Sequence, residues 1–233
     1  MYLSQLILDP HLPGVRRELG DVVALHKRIM SVFPSGAGPQ VRAALGVLWR
    51  LELAPRFAEP HLLVQSAAAP DWSRLPAGYL VPQGGAAVKE IDAAVAAIRN
   101  GMHLRYRLVA NPARKIDTKS APDGARRNGR RVPVRGDDAV VAWLVRHAER
   151  AGFELAADDA GTGPAVVVRP LGDVVGGSAR PGLGRPRVTV RGFLLDGQLT
   201  VTDAERLRRA IAEGIGPAKA YGFGLLSVAP VGR

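Results

Sequence analysis

The chain contains no cysteine, few aromatic residues and no long apolar run. Without cysteine among its 233 residues, disulfide bonds and thiolate zinc sites are excluded. No apolar stretch reaches the roughly 18 residues that indicate a membrane-spanning helix. Segment 1–9 lacks a basic region and a cleavage site, so we expect no secretory signal and a cytoplasmic location. A hydrophobic fraction of 47% is typical of a globular protein with one or two domains.

The sequence also lacks the motifs of common hydrolases and metal sites. None of the five histidines forms an H-E-x-x-H motif, and no G-x-S-x-G motif is present. Helix capping and loop solvation explain the acidic pairs Asp137–Asp138 and Asp158–Asp159 better than Mg²⁺ binding, because adjacent residues rarely share a helix face. We therefore expect no metal site and no cofactor.

Acidic residues are scarce relative to basic ones. The chain has 32 Lys and Arg against 21 Asp and Glu, a net charge of +11. Segment 105–135 contributes only the acids Asp117 and Asp123, whereas its basic residues are Arg105, Arg107, Arg114, Lys115, Lys119, Arg126, Arg127, Arg130, Arg131 and Arg135. Concentrated charge of this kind is typical of a polyanion binder. A solvated surface of an arginine-rich protein is the alternative.

The hydrophobic pattern predicts that each half of the chain opens with a strand followed by a helix. Helices are expected at 13–33, 137–151 and 203–213, with Asp137 or Asp138 as the N-cap of the second. Strands are expected at 2–8, 47–53, 61–67, 102–110, 131–135, 165–169, 187–195, 198–201 and 224–228. Segment 81–100 suits either a helix or short strands, and segment 172–186 reads as a Gly/Pro/Arg-rich loop. This order suits two α+β sandwiches of the ferredoxin-like kind.

A glycine-rich loop precedes the last predicted strand. Its sequence is Gly214-Ile-Gly-Pro-Ala-Lys-Ala-Tyr-Gly-Phe-Gly224. Glycine amides together with a lysine can cradle a phosphate backbone, because no Cβ blocks the approach. Nucleotide-binding loops run from strand to helix, whereas this one runs from helix to strand. A mononucleotide or dinucleotide site is therefore disfavoured.

His26 is the histidine that could carry chemistry. It lies at the edge of an apolar stripe on the first predicted helix, one turn from Val22 and Met30, and Lys27 and Arg28 follow it. One interpretation is a boundary histidine on an amphipathic helix. The other is a general acid or base, since an ordinary pKa near 6.5 suits proton transfer at neutral pH.

The aromatic residues allow the same two kinds of interpretation. Tyr106 lies between Arg105 and Arg107, so it either stacks on a base or points into the core. Tyr221 and Phe223 either touch RNA or fix the loop to the core. The tryptophans Trp49, Trp72 and Trp143 are better explained as core anchors than as a stacking platform.

Several segments, in this order, resemble one known family. They are Met1-Tyr-Leu-Ser, Ala24-Leu-His-Lys27, Leu63-Val-Gln-Ser66, Pro70-Asp-Trp-Ser73, Leu104-Arg-Tyr-Arg-Leu-Val-Ala-Asn-Pro112, Arg131-Val-Pro133, Val141-Ala-Trp-Leu144 and Gly214–Pro230. Nearly the whole chain resembles the CasE-type CRISPR RNA endoribonucleases of the type I-E Cascade complex, members of the RAMP superfamily. The strand 104–112 and the C-terminal loop are the specific parts of this resemblance.

The resemblance implies a fold, a reaction and partners. We expect two tandem ferredoxin-like domains, residues 1–98 with His26 and residues 99–233 with the basic segment and the glycine-rich loop. Such proteins bind the stem-loop of the CRISPR repeat and cut once at the 3′ base of the stem. The reaction needs no metal: a ribose 2′-OH attacks the scissile phosphate, leaving a 2′,3′-cyclic phosphate and a 5′-OH. The enzyme then stays bound to the RNA with the other Cascade subunits.

The resemblance assigns the catalytic role to His26, with one departure from the family. Family members often carry a tyrosine three residues before this histidine, and here that position is Val23, which cannot transfer a proton. Either His26 acts with cationic help from Lys27 or a loop arginine, or another group supplies the second proton transfer. A non-catalytic RNA-binding subunit of the same fold is the alternative.

The remaining expected site residues would bind RNA. The cations Arg126, Arg127, Arg130 and Arg131 are expected to contact the stem by charge and shape. The other expected RNA-binding residues are Lys27, Arg105, Arg107, Lys115, Gly214, Gly216, Lys219, Gly222 and Gly224.

Overall fold

A computed structural model describes residues 1–34, 40–52, 59–116, 130–158, 160–177 and 188–232. Within these ranges, no helix is both long and apolar enough to cross a membrane.

The N-terminal half forms a four-stranded antiparallel sheet. Its strands are β1 (Tyr2–Ile7), β2 (Leu48–Glu52), β3 (His61–Ser66) and β4 (Ala86–Glu90). Its helices are α1 (Pro13–Leu19), α2 (Val22–Met30), α3 (Val41–Ala44) and α4 (Asp92–Ala96), with a 3₁₀ turn at Trp72–Arg74. The strand order β4-β1-β3-β2 is that of a ferredoxin-like sheet.

The C-terminal half repeats this order. Its strands are β5 (His103–Ala110), β6 (Ala113–Ile116), β7 (Arg130–Pro133), β8 (Phe153–Leu155), β9 (Val166–Gly176), β10 (Val188–Val201) and β11 (Leu226–Pro230). Its helices are α5 (Asp137–Ala151) and α6 (Ala204–Glu213), with a 3₁₀ turn at Lys219–Tyr221. The order β11-β5-β10-β8 again places the first strand between the last and the third. Strand β9 extends this sheet beside β10, and β6 and β7 form a separate hairpin. The α+β, tandem ferredoxin-like prediction is confirmed.

Two local predictions are wrong at helix ends. The predicted helix at 13–33 is two helices, α1 and α2. A new helix begins after Asp21, because its carboxylate caps α2 by accepting hydrogen bonds from the amide groups of Val23 and Ala24. Helix α5 has the predicted bounds, but its N-cap is Gly136 and not an aspartate. The two aspartates lie in its first turn instead, where their negative charges interact favourably with the positive end of the helix dipole.

The strands β9 and β10 are longer than predicted. β10 runs through Gly192 and Gly197, so the predicted strands at 187–195 and 198–201 are one element. β9 continues to Gly176, which places the first residues of the predicted 172–186 loop in a strand. Residues 178–186 of that loop lie outside the described residues. The ambiguous segment 81–100 contains both β4 and α4.

Each sheet covers its own apolar core. Trp49 and Trp72 belong to the first core and Trp143 to the second, which confirms their interpretation as core residues. Ile98 is buried in the second core, beside residues of β5 and α6. The boundary between residues 98 and 99 stays a prediction.

A buried arginine connects the two halves. Arg50 on β2 is 3% exposed, and its Nε donates to Glu52 at 2.8 Å. Its Nη1 donates to the carbonyl of Leu225, the residue after the glycine-rich loop, at 3.2 Å. Glu52 also pairs with Arg107 of β5 at 3.2 Å, and Arg107 binds Asp196 of β10 at 2.7 Å. This charged network fixes β2 to the sheet of the C-terminal half.

Replacing Arg50 by methionine should destabilise the protein substantially. The change leaves the Leu225 carbonyl without this donor and removes the nearer partner of Glu52, so we expect a loss of about 3 kcal/mol in unfolding free energy. Arg17→Met, an exposed position on α1, is the control and should change stability by less than about 0.5 kcal/mol. Urea denaturation measures both; equal stability of the two variants would contradict this role for Arg50.

Candidate functional site

The glycine-rich loop is held between the two halves by backbone geometry. Gly214, Gly216, Gly222 and Gly224 all have positive φ, between +77° and +90°. The Ile215 amide donates to the Gly224 carbonyl at 2.9 Å, which closes the loop at its base. The Gly224 amide donates in turn to Val109 on β5 at 2.7 Å. The loop is therefore a fixed part of the fold.

Two tryptophans occupy the space beside the loop glycines. A Cβ on Gly222 would lie 2.8 Å from the ring of Trp49, and one on Gly216 would lie 2.9 Å from the ring of Trp143. Phe223 is 1% exposed, so the alternative in which it fixes the loop to the core is the correct one. These contacts explain why glycine is needed at both positions.

The glycines do not form the expected phosphate cradle. Gly222 and Gly224 are buried, and the amide groups of Gly214 and Gly224 donate to carbonyls of the protein. A buried glycine cannot touch an RNA backbone, so the RNA-binding prediction needs correction for Gly222 and Gly224. Gly216 is half-buried and lies against Trp143. Lys219, which is half-buried, is the charged group that this loop can offer to a ligand.

His26 lies on α2, next to the loop. Its side chain is half-buried, and its Nδ1 is buried with no hydrogen-bond partner in the part of the chain that the structure describes. Burial, with a smaller contribution from the positive charge of Arg42, lowers the pKa of His26 to about 4. The imidazole is therefore neutral at pH 7 and can accept a proton.

Arg42 lies close to this histidine, and Lys219 lies on a turn that contacts the same helix. Arg42 on α3 is half-buried, and its Nη1 donates to the Val47 carbonyl at 2.8 Å. Lys219 begins the 3₁₀ turn that contacts α2, and Arg42 is close enough to interact electrostatically with both Lys219 and His26. Among the described residues, none of the three forms an ion pair with a carboxylate. Such a cluster suits a phosphate group.

The neighbours of His26 along α2 do not add a second proton-transfer group. Lys27 is exposed, and Val23 is half-buried with an apolar side chain. Arg28 is committed to Glu18, which it binds at 2.6 Å. Lys27 therefore remains available to an RNA phosphate, as predicted from its position.

The basic segment is described only in part. Arg126 and Arg127 lie outside the described residues. The hairpin of β6 and β7 pairs Lys115 with Arg131 and Ile116 with Arg130. The backbone thus brings three of the expected RNA-binding residues to one hairpin, and their role stays a prediction.

Arg105 and Arg107 differ in their surroundings. Arg105 is exposed and lines a groove of 710 Å³ on the C-terminal sheet, together with Gln198 and Ser227. Arg107 lines the same groove, but Asp196 and Glu52 balance its charge. Of the two, Arg105 is the better candidate for a phosphate contact.

Tyr106 points into the core. It is 4% exposed, and its ring centroid lies 6.3 Å from that of Phe153. This burial rules out the base-stacking alternative. Burial raises the pKa of its hydroxyl above the ordinary value.

Sequence reasoning missed Arg42 and Arg50. Each is a single basic residue outside the charged segment and outside any motif. Their importance comes from contacts with residues distant in the chain, which periodicity does not reveal.

Gly222→Ala should destabilise the protein more than Gly101→Ala does. Both positions have positive φ, +85° and +80°, so both alanines incur the left-handed strain of about 1–2 kcal/mol. Only Gly222 faces a tryptophan ring, whereas nothing lies within 4 Å of a Cβ at Gly101. Overpacking should add about 1–3 kcal/mol to the Gly222 variant, measurable by urea denaturation. Equal losses would show that Trp49 yields to the methyl group.

The His26 ring should titrate far below an ordinary histidine. We expect a midpoint near pH 4 in imidazole ¹⁵N NMR spectra, and a higher midpoint in Arg42→Met, which lacks the nearby positive charge. Because the folded pKa is lowered, His26 adds stability above its ordinary pKa of about 6.5, and that stability is lost as pH falls towards 4. A midpoint near 6.5 would contradict the buried, neutral histidine.

Known proteins resemble this chain over nearly its whole length. A family model described as "CRISPR associated protein" matches residues 1–230. The chain is 35% identical to the CRISPR-associated endoribonuclease Cse3 of Thermus thermophilus, over 99% of this chain and 100% of that protein. It is 28% identical to the Cascade subunit CasE of Escherichia coli, over 99% and 100% of the two chains. A structure of Cse3 bound to a 19-nucleotide RNA superimposes with a TM-score of 0.80 at 32% identity, again over 99% and 100%. The chain therefore belongs to the CRISPR-associated protein family that includes Cse3 and CasE.

Proposed function

We propose that this chain is a metal-independent endoribonuclease that processes precursor CRISPR RNA. It binds the repeat hairpin, cleaves at the 3′ base of the stem and leaves a 2′,3′-cyclic phosphate and a 5′-OH. The observation that carries the proposal is the neutral, half-buried His26 near the positive charge of Arg42, on a helix that the Lys219–Tyr221 turn contacts. The similarity to proteins named endoribonuclease and Cascade subunit supports it.

The proposed first step is proton removal by His26. As the 2′-oxygen attacks phosphorus, its proton passes to the imidazole, which is neutral at pH 7 because its pKa is about 4. The negative charge that develops on the phosphorane lies beside Arg42 and Lys219. Fixed cations at this point stabilise the transition state without reorganisation during the reaction.

The basic segment is the proposed binding site for the RNA stem. Lys115, Arg130 and Arg131 lie on the β6–β7 hairpin, and Arg126 and Arg127 belong to the connection between its strands. An A-form stem presents phosphates along a deep, narrow groove, so these cations would recognise charge and shape. Lys27 and Arg105 are two further exposed cations that would contact RNA phosphates.

The partners follow from the same proposal. After cleavage the chain keeps the hairpin and joins the other subunits of a Cascade complex, in the cytoplasm. The similarity to a protein named as a subunit of the Cascade system supports this assembly.

A non-catalytic RNA-binding subunit is the second candidate. The observation that favours it is Val23, which stands where many relatives have a proton-transferring tyrosine. Both candidates bind the repeat hairpin, and only the enzyme cuts it.

A labelled repeat hairpin in EDTA should be cleaved to a cyclic phosphate. His26→Ala should slow single-turnover cleavage by about 10²–10⁴-fold, the usual contribution of a general acid or base. His11→Ala is the control, since His11 is exposed before α1. Binding without cleavage by the parent protein would leave the non-catalytic candidate.

The same assay tests the nucleophile. Replacing the 2′-OH upstream of the cut by hydrogen should stop cleavage and leave binding nearly unchanged. Continued cutting of that deoxy substrate would exclude the 2′-OH mechanism.

A further inference from the structure

Lys219 is the one lysine on the rigid glycine-rich loop. The loop is fixed by Gly216 against Trp143, Gly222 against Trp49 and the hydrogen bond from Gly224 to Val109. The Lys219 side chain begins beside this frame, since its Cγ would lie 3.2 Å from a Cβ on Gly224. Its side chain therefore extends from a backbone that packing and hydrogen bonds hold in place.

The residue before Lys219 is strained. Ala218 has φ +63°, the only positive φ of a non-glycine residue in the described ranges. Its carbonyl accepts a hydrogen bond from the Tyr221 amide at 2.8 Å, and this bond closes the turn that contains Lys219. A left-handed alanine costs about 1–2 kcal/mol and persists only where the surroundings impose it. The turn that follows this strained residue contacts α2.

The charges around Lys219 differ from those around a surface lysine. Arg42 repels its ammonium group, and Glu213 attracts it. Burial, aided by Arg42 and opposed by Glu213, lowers the pKa of Lys219 below its ordinary value. A lysine with a lowered pKa releases a proton more readily than a solvated one.

We infer that Lys219 is the proton donor to the 5′-oxygen leaving group, because its turn contacts the helix that carries His26. The 2′-O–P bond forms as the P–O5′ bond breaks. His26 receives the proton of the 2′-OH, and Lys219 gives its proton to the departing oxygen. Solvent later restores both groups, so protons and electrons balance. Lys219 thereby supplies the second proton transfer that Val23 cannot perform. This inference rests on the proposed ribonuclease function.

A repeat hairpin with sulfur in place of the bridging 5′-oxygen tests this role. A thiolate leaves without a proton, so cleavage of this substrate does not need a general acid. Lys219→Met should slow cleavage of the oxygen substrate by about 10²-fold or more. Lys219→Met should slow cleavage of the sulfur substrate by less than about threefold. His26→Ala should cleave both substrates slowly, because it lacks the base that removes the 2′-OH proton.

Two further variants make the result decisive. Lys219→Arg keeps the positive charge, so it should bind the 2′-deoxy hairpin normally. Because arginine holds its proton too strongly to act as an acid, this variant should cleave the oxygen substrate slowly and the sulfur substrate normally. Lys89→Met, an exposed charge on β4, should match the parent protein on both substrates.

Equal slowing of both substrates in the Lys219 variants, or no slowing of either, would overturn the inference. In both cases the parent protein still cleaves, so the proposed function stands. Failure of the parent protein to cleave either substrate would overturn the proposed function itself.

Discussion

The rings of Trp49 and Trp143 leave room only for glycine at Gly222 and Gly216. The two rings belong to different cores, since Trp49 lies on β2 and Trp143 on α5. The glycine-rich loop is therefore fixed to both halves of the molecule at once. Arg50 adds a direct connection from β2 to Leu225, at the end of the same loop. The position of Lys219 against α2 depends on all of these contacts.

Because the tryptophan rings pack against it, the glycine-rich loop has a defined conformation and holds Lys219 in place. Arg42 lies close to both His26 and Lys219, and Glu213 partly offsets the positive charge of Lys219. Burial keeps the His26 ring neutral, so in the proposed mechanism it accepts a proton while nearby cations stabilise the phosphate. Enzymes that position their charges in advance avoid the cost of reorganising solvent during the reaction. The absence of a tyrosine at position 23 is then compatible with catalysis.

Local signals predicted the regular elements well, and long-range contacts explain the rest. Helix α5 has its predicted bounds, and Asp203 caps α6 by a pattern visible in the sequence. β10 continues through Gly197, which pairs with Tyr106 of β5 and lies under its ring, a contact between distant residues. In the site, His26 and Lys219 were found from a helix pattern, a loop motif and a family resemblance. Arg42 carries no such signal, and only the fold brings it to them.

The most direct test is a structure of the chain bound to its repeat hairpin with a 2′-deoxy nucleotide upstream of the cut. We predict that the scissile phosphate lies between α2 and the Lys219–Tyr221 turn. His26 should face the 2′ carbon, and the Lys219 ammonium should lie about 3 Å from the 5′-oxygen, within hydrogen-bonding reach. A scissile phosphate bound elsewhere, such as the groove beside Arg105, would contradict it.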